Sequence, residues 1–349
     1  MKCQIVGDTH FDNPYKGYLE SQINTCIRLL ERDQPDAVVF LGDIFHHRKP
    51  NPEVINAVFK FFEKISLLPG LKRIFVLRGN HDSTNKSDDG STILEILEHK
   101  GSKVTLIKQT VYDEDYNFLF IPHYENEETI KESLKYVKDE NTVVFGHFGY
   151  TGCMNSTGFF DFALNPEDFK NPTYLGHIHR YAKTENTTIL GTPYSTNFGE
   201  CDYSHFTGCI EKHKDSEKWT EIELKEVDFG IRHYVCPYES LEVMKDEIND
   251  PKFFTILRVF LSKFSEESSN DVRKEILDTY KIGYVDLKFQ PIYDKKLNNR
   301  LSDYNPTDKI NDINDDIIEL YLEENVSSIP KEELQKGLEL IKKHESQES

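Results

Sequence analysis

The sequence predicts an α/β fold: a sandwich of β-sheets flanked by helices, then a small α/β domain, then a pair of C-terminal helices. Three observations predict it. Strand-like and helix-like apolar patterns alternate from the start to about residue 225. Five short apolar runs each lead into a glycine followed by a metal-ligating side chain. The chain is 349 residues long and 37% hydrophobic, enough for a substantial core and too long for one small domain.

In chain order, the run 3–6 leads into Gly7-Asp8-Thr9-His10. A helix follows over 19–32, with Ile23, Cys26, Ile27 and Leu30 on one face. The run 37–41 leads into Gly42-Asp43-Ile44-Phe45-His46, the central cluster. A second helix starts after Pro50-Asn51-Pro52 and carries Val54, Val58, Phe61, Phe62 and Ile65. The run 74–77 leads into Gly79-Asn80-His81-Asp82. A third helix is expected over 91–100, and strands over 104–107 and 118–121. The runs 143–145 and 174–175 lead into Gly146-His147 and Gly176-His177-Ile178-His179. Hairpin strands are then expected over 188–190, 206–210 and 219–224. Strand, then glycine, then ligand type is how an α/β sheet presents chemistry at the carboxyl ends of its strands.

Composition shifts near Asp228-Phe229-Gly230. The expected organisation is a first domain over 1–228 and a small domain over 231–293. The small domain reads strand, helix, strand, helix, strand, with strands 253–261 and 284–289 around a helix at 268–280. A polar linker is expected over 294–310 and a helix pair over 311–345. Ile313, Ile317, Leu320 and Tyr321 line the first tail helix, and Leu334, Leu338 and Ile341 the second.

No apolar run has membrane-spanning length, so no membrane partner is expected. Met1-Lys2-Cys3-Gln4 runs straight into a strand, so no signal peptide is expected. The six cysteines form no CxxC pair, which suits free thiols in a reducing cytoplasm. Cys201, His205, Cys209 and His213 fall at every fourth position, a spacing that matches no usual zinc pattern. The net charge of −19 is unlike that of a protein gripping nucleic acid through its own basic face. Residues 301–349 hold 13 acidic side chains against 5 lysines, so part of the excess is local.

The clusters supply Asp8, His10, Asp43, Asn80, His147, His177 and His179 as donors: two carboxylates, four imidazoles and an amide oxygen. This mix suits Mn²⁺, Fe²⁺ or Zn²⁺ better than a closed structural zinc. Seven donors exceed what one catalytic ion needs and fit two ions sharing Asp43. Such a pair activates water at neutral pH and clamps phosphoryl oxygens. His81 follows a ligand and is placed to protonate a leaving oxygen, with Asp82 expected to orient its second ring nitrogen.

These five clusters, in this order, resemble the calcineurin-like metallophosphoesterase superfamily. The run Ile44-Phe45-His46-His47-Arg48-Lys49-Pro50 after Gly42-Asp43, with Pro52, resembles the DNA double-strand-break repair nucleases. These are the SbcD subunit of bacterial SbcCD, its archaeal and eukaryotic counterparts, and the phage recombination nucleases. Gly191-Thr192-Pro193 and Phe198-Gly199-Glu200 continue the likeness to about residue 225. The resemblance implies that Asp8, His10, Asp43 and His179 hold one ion, and Asp43, Asn80, His147 and His177 the other. It assigns His46 to positioning the nucleotide and His81 to catalysis. It implies two manganese ions, double-strand exonuclease and single-strand endonuclease activity on DNA, and a DNA-binding role for the small domain. The tail helices would dock on the coiled coil of an SbcC-type ATPase, and the second helix would contribute Phe59 or Phe62 to a homodimer face. The setting is a bacterial cell or a phage-infected host, and Arg48 and Lys49 are candidate phosphate contacts. A second reading keeps the metals but takes a cyclic nucleotide or small phosphodiester. A third, a non-catalytic structural subunit, predicts lost ligands, and all seven are present.

Overall fold

The apolar runs form the strands of two facing sheets. The computed structural model describes residues 1–99, 102–155, 158, 159, 162, 164–261 and 266–289. The chain divides into two compact units, Met1–Gln290 and Pro291–Ser349, and everything described belongs to the first. The linker at 294–310 and the helix pair at 311–345 expected from the sequence lie outside the described residues.

In chain order the first sheet takes β1 (Lys2–Val6), then, after helix α1 (Tyr18–Asp33), β2 (Ala37–Phe40). Helix α2 (Pro52–Ser66) leads to β3 (Arg73–Leu77), and β4 (Val104–Ile107) follows. The second sheet is built from β5 (Val111–Asp113), β6 (Phe118–Ile121) and, after α3 (Glu127–Leu134), β7 (Val143–His147). A small ribbon, β8 (Met154–Asn155) and β9 (Gly158–Phe159), precedes β10 (Thr173–Gly176), β11 (Ala182–Lys183) and β12 (Thr187–Ile189). The chain then returns to the first sheet with β13 (Phe206–Glu211) and β14 (Glu223–Glu226). The sheet orders are β14-β13-β1-β2-β3-β4 and β11-β12-β10-β7-β6-β5.

Strand alternation explains the layers. Cys3, Ile5, Val39, Leu41, Phe75 and Leu77 point between the sheets, where they meet Phe118, Phe120 and Phe145. Their neighbours Val6, Val38, Phe40, Ile74 and Val76 point outward onto Ile27, Leu30, Val58, Phe61 and Phe62 of α1 and α2. Phe62 is 2% exposed, so this core claims it and it is not available to a twin chain; Phe59 packs on the edge of the same cluster, beside His99. Ile130 of α3 covers the outer face of the second sheet with Leu119, Ile121 and Val144. The result is helix, sheet, sheet, helix.

Two expected elements differ. The helix over 91–100 is a 3₁₀ segment over Ile93–Leu97, capped by Thr92, whose hydroxyl accepts from the Leu94 amide at 3.2 Å. Its buried residues Leu94 and Leu97 are three apart, a spacing a 3₁₀ turn serves directly. The strand over 219–224 starts only at Glu223; Trp219 makes an isolated bridge to Lys212 and packs its ring on Phe118. The short β5 and helix α3 carry too few apolar residues to stand out in the sequence.

Beyond residue 229, β15 (Gly230–Pro237), the single-turn α4 (Lys245–Ile248), β16 (Phe253–Leu261), α5 (Glu266–Thr279) and β17 (Tyr284–Phe289) make a three-stranded parallel sheet. It has its own apolar cluster around Leu257, Val259, Ile276 and Val285. Tyr284 of β17 stacks on Tyr15 at 4.0 Å between ring centroids.

Candidate metal centre

The strands that carry the site run parallel and end together. Val6 pairs with Phe40 and Phe40 with Val76, so Asp8, Asp43 and Asn80 leave one edge of the first sheet. In the second sheet Ile121 pairs with Gly146 and His147 with Gly176, so His147, His177 and His179 leave the matching edge. Glycines are required where these edges meet. A Cβ on Gly79 would collide with Asp43 Oδ1, and one on Gly176 with Asp8 Oδ1.

Three of the candidate ligands sit in left-handed backbone: His10 (φ 44°), Asp43 (φ 46°) and His177 (φ 84°). Each such residue costs on the order of 1–3 kcal/mol and persists only where its surroundings over-determine it. Here they do. The His10 amide donates to the Asp43 carbonyl at 2.9 Å, and Gln22 Nε2 donates to the His10 carbonyl at 2.9 Å. The His177 amide donates to Asp8 Oδ2 at 2.8 Å. The buried Asp82 carboxylate accepts from the amides of Ile44 (3.2 Å), Phe45 (3.0 Å) and Gly79 (2.9 Å), closing the turn behind Asp43. Asp82 therefore does not orient His81 as the sequence suggested. His81 instead donates Nδ1–H to the His46 carbonyl at 2.5 Å.

All seven predicted donors converge, in two groups. Asp8, His10 and His179 form one and Asp43, His147 and His177 the other, each close enough to share an ion. Asp43 turns its oxygens apart: Oδ2 lies 3.6 Å from His10 Nε2 and Oδ1 3.4 Å from His147 Nε2. Asn80 Oδ1 lies 2.9 Å from His177 Nδ1 and 3.1 Å from His147 Nε2, so it joins the second group. His46 and His81 flank His10, their ring centroids 5.4 and 4.9 Å from its own. A third group, Asp12, His46 and His47, lies at the rim with His47 exposed. Arg48 is engaged by Glu125 at 3.2 Å and by the Asn85 carbonyl at 3.5 Å.

The donor chemistry fits divalent cations. His147 donates Nδ1–H to the Leu41 carbonyl at 2.7 Å, which aims the Nε2 lone pair at two oxygens, Asn80 Oδ1 and Asp43 Oδ1. His179 donates Nδ1–H to Glu200 at 2.6 Å, which leaves its Nε2 lone pair 2.9 Å from His10 Nε2. Asp8 Oδ1 and His10 Nδ1 are buried with no hydrogen-bond partner. Lone pairs facing lone pairs, inside a buried acidic pocket, are what a positive ion relieves. The electrostatics agree. Burial, reinforced by the neighbouring Asp43, pushes the Asp8 carboxyl up, a cost that a bound cation would remove.

Residues 1–181 match the calcineurin-like phosphoesterase family. The chain belongs to that family. It is accordingly a metal-dependent phosphoesterase of a family that binds two divalent ions, with candidate sites in the two His/Asp groups. No curated protein sequence matches it. Among solved structures it is similar to the Pseudomonas putida nuclease MPE, at 14% identity and a TM-score of 0.30, over 61% of this chain and 85% of that one. At that TM-score the likeness carries no weight for function.

Two residues beside the centre are assigned no role by the sequence. Glu200 holds His179 from 21 residues away. His123, at the carboxyl end of β6, stacks on His177 with centroids 5.8 Å apart. Neither follows the strand, glycine, ligand pattern.

Proposed function

We propose that this chain is a two-metal DNA phosphodiesterase, the nuclease subunit of an SbcCD-type complex. The observation that carries the reading is Asp43, held in a left-handed turn with one oxygen toward each donor group. Asp8, His10, Asp43 and His179 would hold one ion, and Asp43, Asn80, His147 and His177 the other. When bound, two such ions supply Lewis acidity and a nucleophile at neutral pH.

The chain's own residues supply the rest. His81 is anchored through Nδ1–H; in its imidazolium form its Nε2–H would pass to the leaving oxygen, leaving a neutral ring. His46 would position a nucleotide carried by the centre; its half-buried place 5.4 Å from the His10 ring supports that role. Asp82 and Glu200 touch no substrate; they keep the Asp43 turn and the His179 ring in place. Manganese as the ion, double-strand exonuclease and single-strand endonuclease action, a homodimer, and docking of the 311–345 helices on an ATPase coiled coil belong to the same proposal. They rest on the sequence resemblance.

The test incubates the purified chain with end-labelled duplex and hairpin DNA in Mn²⁺ and in EDTA, beside Asp43→Asn and His81→Ala. Shortening that needs Mn²⁺ and falls by about 10²–10³-fold or more in both variants is expected. Full activity in either variant would overturn the mechanism. Hydrolysis of bis(4-nitrophenyl) phosphate with intact DNA would favour a small phosphodiester substrate instead.

A further inference from the structure

We propose that the cavity beside His177 is a subsite for one unstacked nucleobase next to the scissile phosphate, with His123 as its polar anchor. The proposal rests on the phosphodiesterase reading above and names a part of the substrate that this centre has to seat. His123 leaves the carboxyl end of β6 on the same edge as the ligand histidines. Its backbone is clamped from both sides. Its amide donates to the Arg78 carbonyl at 2.9 Å, and the buried Arg78 guanidinium donates to the His123 carbonyl at 2.5 Å. The ring stacks on His177 at an interplanar angle of 27° and lies edge-on to His147 at 6.1 Å.

Neither ring nitrogen of His123 has a hydrogen-bond partner among the described residues, although both are buried. The nearby carboxylate oxygen, Glu125 Oε1, is 3.9 Å from Nε2, beyond hydrogen-bond reach. Leaving a buried polar atom unmatched is costly. His123 belongs to neither group of three that brackets a candidate ion. It does line a cavity of about 170 Å³ together with Ile130, Phe148, Leu164 and His177.

The chemistry of that cavity selects its occupant. Its walls combine the apolar Ile130, Phe148 and Leu164 with the polar His123, Glu125 and His177, so an occupant meets both an apolar face and hydrogen-bonding groups. It is smaller than the roughly 300–1,000 Å³ of pockets for drug-sized ligands, so it admits a single ring system. Its lining carries the carboxylates of Glu125, which is paired with Arg48, and Glu127, and no lysine or arginine among the described residues, which disfavours a second phosphate. A neutral imidazole offers one donor and one acceptor. A nucleobase edge offers both in return, whereas a phosphate only accepts. Stacking on an aromatic wall is also how single-stranded bases are held without sequence preference.

The test uses the full chain in Mn²⁺ with two esters that share a leaving group: thymidine 5′-(4-nitrophenyl phosphate) and methyl 4-nitrophenyl phosphate. Wild type, His123→Leu and His123→Asn are compared, with metal content measured for each. Calorimetry compares thymidine 5′-monophosphate with inorganic phosphate. His123→Leu is expected to lose about tenfold in kcat/KM on the nucleoside ester, mainly through KM, and to change by less than about twofold on the methyl ester. His123→Asn, which keeps a donor and an acceptor, is expected to regain most of the loss. Wild type is expected to bind the nucleotide at least about tenfold tighter than phosphate. Equal losses on both esters, a drop in bound metal, or no loss on either would overturn the subsite. So would a nucleotide bound no tighter than phosphate by an enzyme that cleaves the methyl ester, and in that case the phosphodiesterase reading stands. If wild type cleaves neither ester, that reading fails and the subsite falls with it.

Discussion

At the scale of single residues, the centre depends on side chains that never meet a substrate. Glu200 is buried and takes the Nδ1–H of His179 at 2.6 Å, while its other oxygen accepts from the Thr196 amide at 2.8 Å. That charge-assisted bond sets the His179 tautomer and turns its Nε2 toward His10. Glu200→Gln should therefore weaken ion binding at the His10–His179 side by about 10–100-fold and leave the other side nearly unchanged. Titration of the chain with Mn²⁺ by calorimetry, read as two binding steps, checks this. Equal weakening of both steps would show that Glu200 supports the fold rather than one site. Asp82 illustrates the limit of adjacency. It follows His81 directly, yet the two side chains serve different partners. Asp82 faces inward to three backbone amides, and His81 faces the cleft.

At the scale of elements, parallel pairing of β1, β2 and β3, and of β6, β7 and β10, brings the ligands to one place. Helix α1 keeps its register on this frame through Asp33. The Asp33 carboxylate accepts from Gln4 Nε2 of β1 at 2.8 Å, from Arg32 at 2.9 Å and from Lys225 of β14 at 2.9 Å. Burial alone would raise the Asp33 carboxyl, but the bonds from Arg32 and Lys225 outweigh it and hold it below the ordinary value. A carboxyl lowered by folding adds stability above its unfolded value of about 3.9, and that stability is lost as pH falls through the lower folded value. Asp33→Asn should cost about 1–3 kcal/mol near pH 7 and should flatten the loss of stability below about pH 4. Urea denaturation at a series of pH values measures both. An unchanged acid slope would mean that the three-way contact is not formed in solution.

At the scale of the whole molecule, a net charge of −19 has to be reconciled with the DNA substrate proposed above. The candidate centre gathers buried acidic and imidazole groups, so bound cations rather than basic side chains would present positive charge to DNA. Arg48, a candidate phosphate contact, is already paired with Glu125. Duplex binding by the isolated chain should therefore weaken by at least about tenfold when EDTA replaces Mn²⁺ at constant salt. Fluorescence anisotropy of a labelled duplex measures it, and affinity unchanged by EDTA would place the DNA on some other surface.

The sequence by itself determined the sandwich, the strands that lead into the site and the seven donor side chains that the fold brings together. Each of these is written locally, as an apolar run, a glycine that makes room, and a ligand type beside it. Tertiary structure alone decided what each donor faces. His10 meets His179 across 169 positions, and Asp43 meets His147 through a strand of the other sheet. Glu200, Asp82 and His123 gained their places in the same way. No periodicity records such contacts, because they arise only when two sheets close and bury polar atoms that must then find partners.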